Sequence, residues 1–355
     1  MRRRSIHIAL GVVVAGGGGA RGQAAQSPSS RAAERPKGTI VVSNMNDNTA
    51  MLVDAESGRT LATLPTGEGP HEVAVSRDGR RAVVSNYGVR GKPGHTLTLI
   101  DVEKLDTVRT IDLRDYQRPH GMAFLPGDTL LAVTSEVSRA VLIVDLRSGN
   151  VVATRPSSGR GTHMIGLSAR GDRLVVGNIG DGTITALDPL AKDSGRVIRV
   201  AAQPEGVAIS PDGAFAWAGS NRDSVVLVVD LRAGVVADTL RGFGLPYRTA
   251  ISPDGRTAVV TDPVKARVRV FDATTRRQRF DIGVSADSLV ATAEVSGSPS
   301  PEGVTISRDS RWAFVTLQGR NRLATIDLER GTIVGIAPTG TWSDGVGYSP
   351  IRSSP

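Results

Sequence analysis

The chain contains no cysteine in 355 residues, only 4% aromatic residues, and no long apolar run. The missing cysteine excludes disulfides, thiolate-ligated zinc, iron–sulfur clusters, CxxCH haem attachment, a cysteine nucleophile and a lipidated N-terminal cysteine. It does not fix the compartment, because an exported protein can do without disulfides. The scarcity of aromatics removes the stacking platforms that a single-stranded nucleic-acid groove requires, and the basic residues are scattered rather than tracked. Nucleic acid is therefore not an expected partner. No run approaches the roughly 20 apolar residues of a membrane span. A GxSxG nucleophile elbow is also absent, so covalent acyl chemistry has no sequence support.

The first residues read as a targeting segment. Arg2, Arg3 and Arg4 form a basic start, Ile6 to Ala15 a short apolar stretch, and Gly22-Gln23-Ala24 a small-residue cleavage point. The expectation is a signal peptide over 1–24, a Ser/Pro/Arg-rich flexible linker over 25–37, and delivery to the periplasm or beyond. Arg3-Arg4 leaves the choice between general and twin-Arg export open. Without the leader the net charge falls from +8 to +4, mild for a chain of this length.

An internal repeat organises the rest. The segment Pro70-His71-Glu72-Val73-Ala74-Val75-Ser76-Arg77-Asp78-Gly79 returns as Pro204-Glu205-Gly206-Val207-Ala208-Ile209-Ser210-Pro211-Asp212-Gly213. Further copies begin at 119, 162, 246, 301 and 343. The spacing is 42 or 43 residues except for two longer units, of 49 and 55. A hydrophobic run ending in Asp also occurs seven times, at Asp54, Asp101, Asp145, Asp188, Asp230, Asp272 and Asp327. Each unit holds four short β-rich runs separated by Gly, Asp and Pro turn signals, with no sustained helical period.

Four strands in about 42 residues is the signature of a propeller blade. The predicted fold is all-β: a seven-bladed β-propeller over 38–350, with a short tail over 351–355. Residues 39–64 supply three strands and residues 344–348 the missing leading strand. The ring is thus expected to close by pairing the two ends of the chain in one blade, which protects open sheet edges.

The Val-Val-Ser-Asn of 41–44 and 83–86, the Pro-Glu-Gly-Val-Ala-Ile-Ser-Pro-Asp-Gly of 204–213 and the Val-Val-Asp strand ends resemble YVTN-type repeats. These belong to a family of exported, YncE-like bacterial seven-bladed propellers, and are more remotely similar to lactonase-type propellers. The resemblance spans about residues 38–350. It implies a periplasmic propeller, often without enzymatic activity, whose ligand site lies on the face where the chain enters each innermost strand. The two long units and the degenerate anchor Thr162-His163-Met164 depart from the pattern.

Residues that recur in every blade read as structural. The seven strand-ending Asp side chains are expected to accept backbone N–H groups of the following turn. Residues that differ between blades carry the functional reading. The position after each anchor gives His71, His120, His163, Glu205, Tyr247, Glu302 and Asp344, expected to ring one mouth of the channel, with Arg248 beside it. The ends of the second strands supply another ring on the same face, including Asn86, Glu136 and Asn178. The extra length of the long units, at 87–95 and 284–300, belongs there too, and long loops on a rigid scaffold are where function sits.

Three readings follow. His71, His120 and His163 come from consecutive blades and are candidate ligands of a divalent transition metal, since imidazole suits Zn, Cu, Ni or Fe. Glu205, Tyr247, Arg248, Glu302, Asp344, Asn86 and Asn178 are candidate ligand-binding residues. The leading expectation is a module that binds a small molecule, peptide or protein partner through this face. The alternative is a lactonase-like hydrolase or a lyase at the channel mouth, with Glu205, Glu302 or a His as general base. No catalytic residue is assigned from the sequence, and oligomeric state is not legible in it.

Overall fold

The computed structural model describes residues 34–192, 195–284 and 298–354. The leader read over 1–24, most of the linker over 25–37 and most of the long connection over 284–300 lie outside them. The chain divides into Met1–Glu34 and Arg35–Pro355. The second unit is a seven-bladed β-propeller, and every blade is a four-stranded antiparallel sheet.

Blades are numbered from the chain start. Blade 1 combines Thr39–Asn44, Thr49–Asp54 and Thr60–Pro65 with Ser343–Ser349 as its innermost strand. Ring closure by both ends of the propeller chain is thus as the repeat arithmetic predicts. Blade 2 runs from its inner strand Pro70–Val75 to its outer strand Asp106–Asp112, blade 3 from Pro119–Phe124 to Asn150–Pro156, and blade 4 from Thr162–Leu167 to Arg196–Arg199. Blade 5 runs from Pro204–Ile209 to Val235–Leu240, blade 6 from Thr249–Ile251 to Gln278–Gly283, and blade 7 from Pro301–Ile306 to Thr332–Pro338. Among the described residues the helix content is one 3-10 turn, Gln318–Arg320. None of their helices is long and apolar enough to cross a membrane.

The core lies between blades. Seven buried clusters each draw on two adjacent blades: Ile40 and Val42 of blade 1 pack with Phe314 and Leu323 of blade 7, for example. Trp217 and Trp312 sit in two of these interfaces, as packing residues. Each buried Leu, Ile or Val contributes roughly 1.5–3 kcal/mol, but only when the neighbouring blade is in place. Middle strands are buried on both faces, as in Ala140–Asp145, and β-branched residues fill them. Outer strands alternate between half-buried and exposed, as in Asn150–Pro156.

The strand-ending Asp residues do what their recurrence predicts. Asp230 accepts the N–H groups of Arg232 and Ala233 at 2.9 and 2.8 Å. Asp54, Asp101, Asp145, Asp188, Asp272 and Asp327 likewise accept N–H groups from their turns. Residues 351–354, read as a tail, pin two blades together: the Ser353 hydroxyl donates to the Val102 carbonyl at 2.6 Å and accepts from Thr39 at 3.0 Å.

One backbone irregularity positions the channel side chains. In blades 2, 3, 4, 5 and 7 the ladder between first and second strands shifts register just after the anchor, as between Pro70 and Val73. Blade 1 shifts opposite Asp344, and in blade 6 pairing begins only at Thr249. A β-bulge re-aims the extra residues out of the strand's alternation. Here it places residues 71, 120, 163, 205, 302 and 344 at the channel, and Tyr247 joins them from the stretch before blade 6 pairing begins.

Candidate functional site

Second-strand hydroxyls hold the bulges across blade boundaries. Thr134 donates to the His163 carbonyl at 2.6 Å, Thr261 to that of Glu302 at 2.8 Å, and Thr316 to that of Asp344 at 2.7 Å. The residue after each ring position is Gly at 121, 206, 303 and 345, because the next blade's backbone passes there. A Cβ on Gly206, Gly303 or Gly345 would overlap the carbonyl oxygen of Tyr247, Asp344 or His71. These contacts fix where the channel side chains start, so the cluster is built on rigid elements.

The three histidines are in contact. The His120 ring centroid lies 4.5 Å from that of His71 and 3.8 Å from that of His163. Tyr87 stands edge-on to His71 and His120, at 5.1 and 5.3 Å. The outer two histidines are carboxylate-bound. His163 pairs with Glu136 through Nδ1 and with Glu205 through Nε2, the latter at 2.6 Å. His71 Nδ1 pairs with Asp344. His120 differs: it is fully buried, and among the described residues neither of its ring nitrogens has a hydrogen-bond partner.

A guanidinium closes the channel from the other side. Arg248 of blade 6 donates to Glu72 of blade 2 through Nη2 at 2.6 Å and Nε at 3.2 Å, and to Glu205 through Nη1 at 2.7 Å. Its Cζ lies 4.3 Å from the centre of the Tyr247 ring. Glu302 stands outside this network of pairs. Its carboxylate accepts from the Ser300 hydroxyl at 2.7 Å and meets no cation among the described residues.

These environments separate the protonation states. Burial, then the neighbouring His163 and His71, push His120 well below the usual imidazole value, so it is neutral. Burial also opposes charge on His163, but Glu205 and Glu136 outweigh it and lift it to about 9. His71 is raised likewise, Asp344 and Glu72 overcoming burial. Burial disfavours ionised Glu205, yet His163 and Arg248 lower it to about 2. Burial and the nearby Asp344 raise Glu302 to about 7.

Two donor groups fit a metal ion geometrically: His71, Glu72 and His120, and His120, Glu136 and His163. Within each group the ligand atoms lie within 4.8 Å of one another. His120 belongs to both. A neutral imidazole with an open lone pair, flanked by carboxylates, is the donor chemistry a divalent transition metal takes. A carboxylate on the second nitrogen of a ligating histidine, as Asp344 stands to His71, is the usual outer-shell support.

The structure therefore brings together His71, His120, His163, Glu205, Tyr247, Arg248, Glu302 and Asp344. Asn86 and Asn178 stand apart. Asn86 donates to Thr96 and Thr98 at 2.9 and 3.1 Å, and Asn178 to Thr183 and Thr185 at 3.0 and 2.9 Å. Both amides clamp their own hairpins and lie against Gly67 and Gly159. His95 is half exposed on its hairpin, 3.8 Å from Asp112. Two residues that the sequence reading did not single out, Glu72 and Tyr87, are central. Glu72 had a signal: it and Arg248 are the charged residues at a position that is otherwise Gly or Met164.

Comparison with known proteins adds the following. Residues 254–345, about a quarter of the chain, match a family described as a choice-of-anchor I domain. No curated protein matches the chain. A functionally unknown protein from Desulfotomaculum acetoxidans is similar in structure, with TM-score 0.71 and 13% identity over 88% of this chain and 99% of that one. Kuenenia stuttgartiensis hydrazine synthase is similar with TM-score 0.64 and 19% identity, over 77% and 88%. Dihydro-heme d1 dehydrogenase NirN, in complex with DHE, follows with 0.60 and 16%, over 92% and 79%. These likenesses establish the propeller fold alone.

Proposed function

We propose that the mature chain is an exported YVTN-type propeller that binds a small ligand or protein partner at its channel mouth. A divalent transition metal on His120 centres that site, its shell completed by His71 and Glu72, or by Glu136 and His163 once His163 gives up its proton and its bond to Glu136. The observation that carries the reading is His120, a fully buried imidazole with no partner on either nitrogen among the described residues. A buried polar atom without a partner costs about 1–3 kcal/mol, and a ligand that takes the imidazole lone pair removes that nitrogen's share. Charge favours a cation as well. Glu72, Glu205, Glu302 and Asp344 lie around a single guanidinium, Arg248, and Glu136 adds a fifth carboxylate at His163. Two protonated histidines or a divalent metal would each offset part of the remaining negative charge. Export is supported by the leader pattern and agrees with the choice-of-anchor description.

Elemental analysis of untagged protein tests the metal. The expected result is about one transition metal per chain, lost in His120→Ala. Metal-free protein, or unchanged stoichiometry in that variant, refutes it.

Glu302 favours a second reading, a lactonase-like hydrolase. Glu205 is committed to His163 and Arg248, and Arg248 to two carboxylates, so neither is free to act as base or electrophile. Glu302 is buried, has no cation partner among the described residues and is poised to exchange a proton near neutral pH. Its carboxylate would take the proton of a water attacking the lactone carbonyl and return it to the ring oxygen as the ring opens. Lactones of several ring sizes, assayed with and without chelator and with Glu302→Gln, test this. Absence of turnover across the panel refutes it.

A further inference from the structure

The 49-residue unit owes its length to one lengthened hairpin, Arg81–Val89 paired with Lys92–Asp101. This hairpin builds a wall at the channel mouth. Beside it lies a pocket of about 460 Å³ whose lining includes Met45, Asn46, His71, Tyr87, Arg90 and Arg118, and no carboxylate. That composition contrasts with the acid-rich channel it opens beside. Lys92 on the same hairpin is paired to Glu68 at 2.9 Å, and His95 is 3.8 Å from Asp112. Arg90 has no acidic partner among the described residues. Arg118 has none there either: its Cζ lies 4.6 Å from the Tyr87 ring centre, on the rim of the pocket.

We propose that this pocket binds a small organic anion, a carboxylate or phosphate compound, through the guanidiniums of Arg90 and Arg118. Two guanidiniums without carboxylate partners on one concave wall are the standard recognition device for planar or tetrahedral oxyanions. The volume suits a metabolite-sized ligand. His71 connects the pocket to the histidine cluster, so a bound anion lies against the metal site. Met45 and Asn46 supply the opposite wall from blade 1, which makes the pocket an inter-blade feature. The proposal rests on the reading of the mouth as a binding face, and does not require the metal.

Isothermal titration with succinate, inorganic phosphate and neutral succinamide tests it, on metal-loaded and chelator-treated protein. At least one of the two anions binds saturably, and succinamide does not. Arg118→Gln and Arg90→Gln each weaken binding about tenfold, and the double variant abolishes it, with metal content unchanged. Which anion binds identifies the head group. The proposal is overturned if neither anion gives saturable heat up to about 10 mM, if succinamide binds equally, or if the Arg variants bind as the parent does. Protein that is metal-free as purified and takes up no added metal, yet binds the anion, refutes the metal centre and leaves the pocket standing. A metal-loaded protein that binds neither anion refutes the pocket alone.

Discussion

Replacing Arg248 with Met keeps the side chain's bulk and removes its charge. Arg248 is 3% exposed and makes three charge-assisted bonds, two to Glu72 and one to Glu205. Glu205 retains His163 as a partner at 2.6 Å. Glu72 does not fare as well, since its nearest remaining cation is His71 at 3.9 Å. Removing one member of a buried pair costs about 3–5 kcal/mol, mostly because the other charge stays buried and unpaired. Unfolding entropy near 2.1 cal/mol/K per residue makes each kcal/mol worth about 1.5 °C in a propeller of this size. Arg248→Met should therefore lower Tm by about 4–8 °C. Pairing it with Glu72→Gln removes the stranded carboxylate, so the double variant should recover part of the loss, with a coupling of at least about 1–2 kcal/mol. Urea and thermal unfolding followed by tryptophan fluorescence measure this. Trp217 is a buried reporter, packed against blade 6 residues including Phe271. A loss below about 1 kcal/mol, or strictly additive variants, would refute the claim that this pair holds the channel together.

Glu302→Gln should stabilise the protein at pH 8 and leave it nearly unchanged at pH 4.5. The folded carboxyl is raised to about 7 from 4.5, so ionisation penalises the folded state progressively as pH rises between those values. The full penalty is at most about 3 kcal/mol, read from Tm against pH. Gly303→Ala should cost at least 1–3 kcal/mol, because the added methyl overlaps the Asp344 carbonyl oxygen and blade 7 must shift from blade 1. Asp230→Ala should cost about 1–2 kcal/mol through its two turn N–H groups, with no effect on metal or anion binding. A binding change in that variant would contradict the structural reading of the repeated Asp.

The fold was legible because it is written seven times. Anchor Pro, strand-ending Asp and turn Asp-Gly recur, and each copy corroborates the others. The position after the anchor also predicted which residues meet at the channel, since a ring of equal blades brings equal register positions to one axis. Side-chain direction was less legible. Asn86 and Asn178 end their second strands near the mouth, yet their amides turn inward to hairpin threonines, a choice that depends on Thr98 and Thr185 across the hairpin. Glu72 follows a ring residue, and strict alternation would send it away from the channel. The bulge between Pro70 and Val73 cancels that alternation and sends it to Arg248.

In a closed ring of near-identical blades, departures from the repeat locate the site better than the repeat does. Gly stands after the ring position where the neighbouring backbone must pass, as at Gly303 against Asp344 and Gly345 against His71. A charged residue there gives up that close fit and requires compensation elsewhere. Glu72 and Arg248 are such residues, of opposite sign and 176 positions apart, and each is the other's compensation across the channel. The lengthened hairpin of blade 2 follows the same logic. Its extension over residues 87–95 adds nothing to the core clusters, yet it places Tyr87 against His71 and His120 and helps form the pocket that Arg90 and Arg118 line. Blade 2 thus carries Glu72, His71, Tyr87 and Arg90 together. Grafting the short turn of blade 5, Asn221 to Ser224, onto blade 2 should remove anion binding while the propeller still closes, because none of the seven core clusters uses residues 87–95.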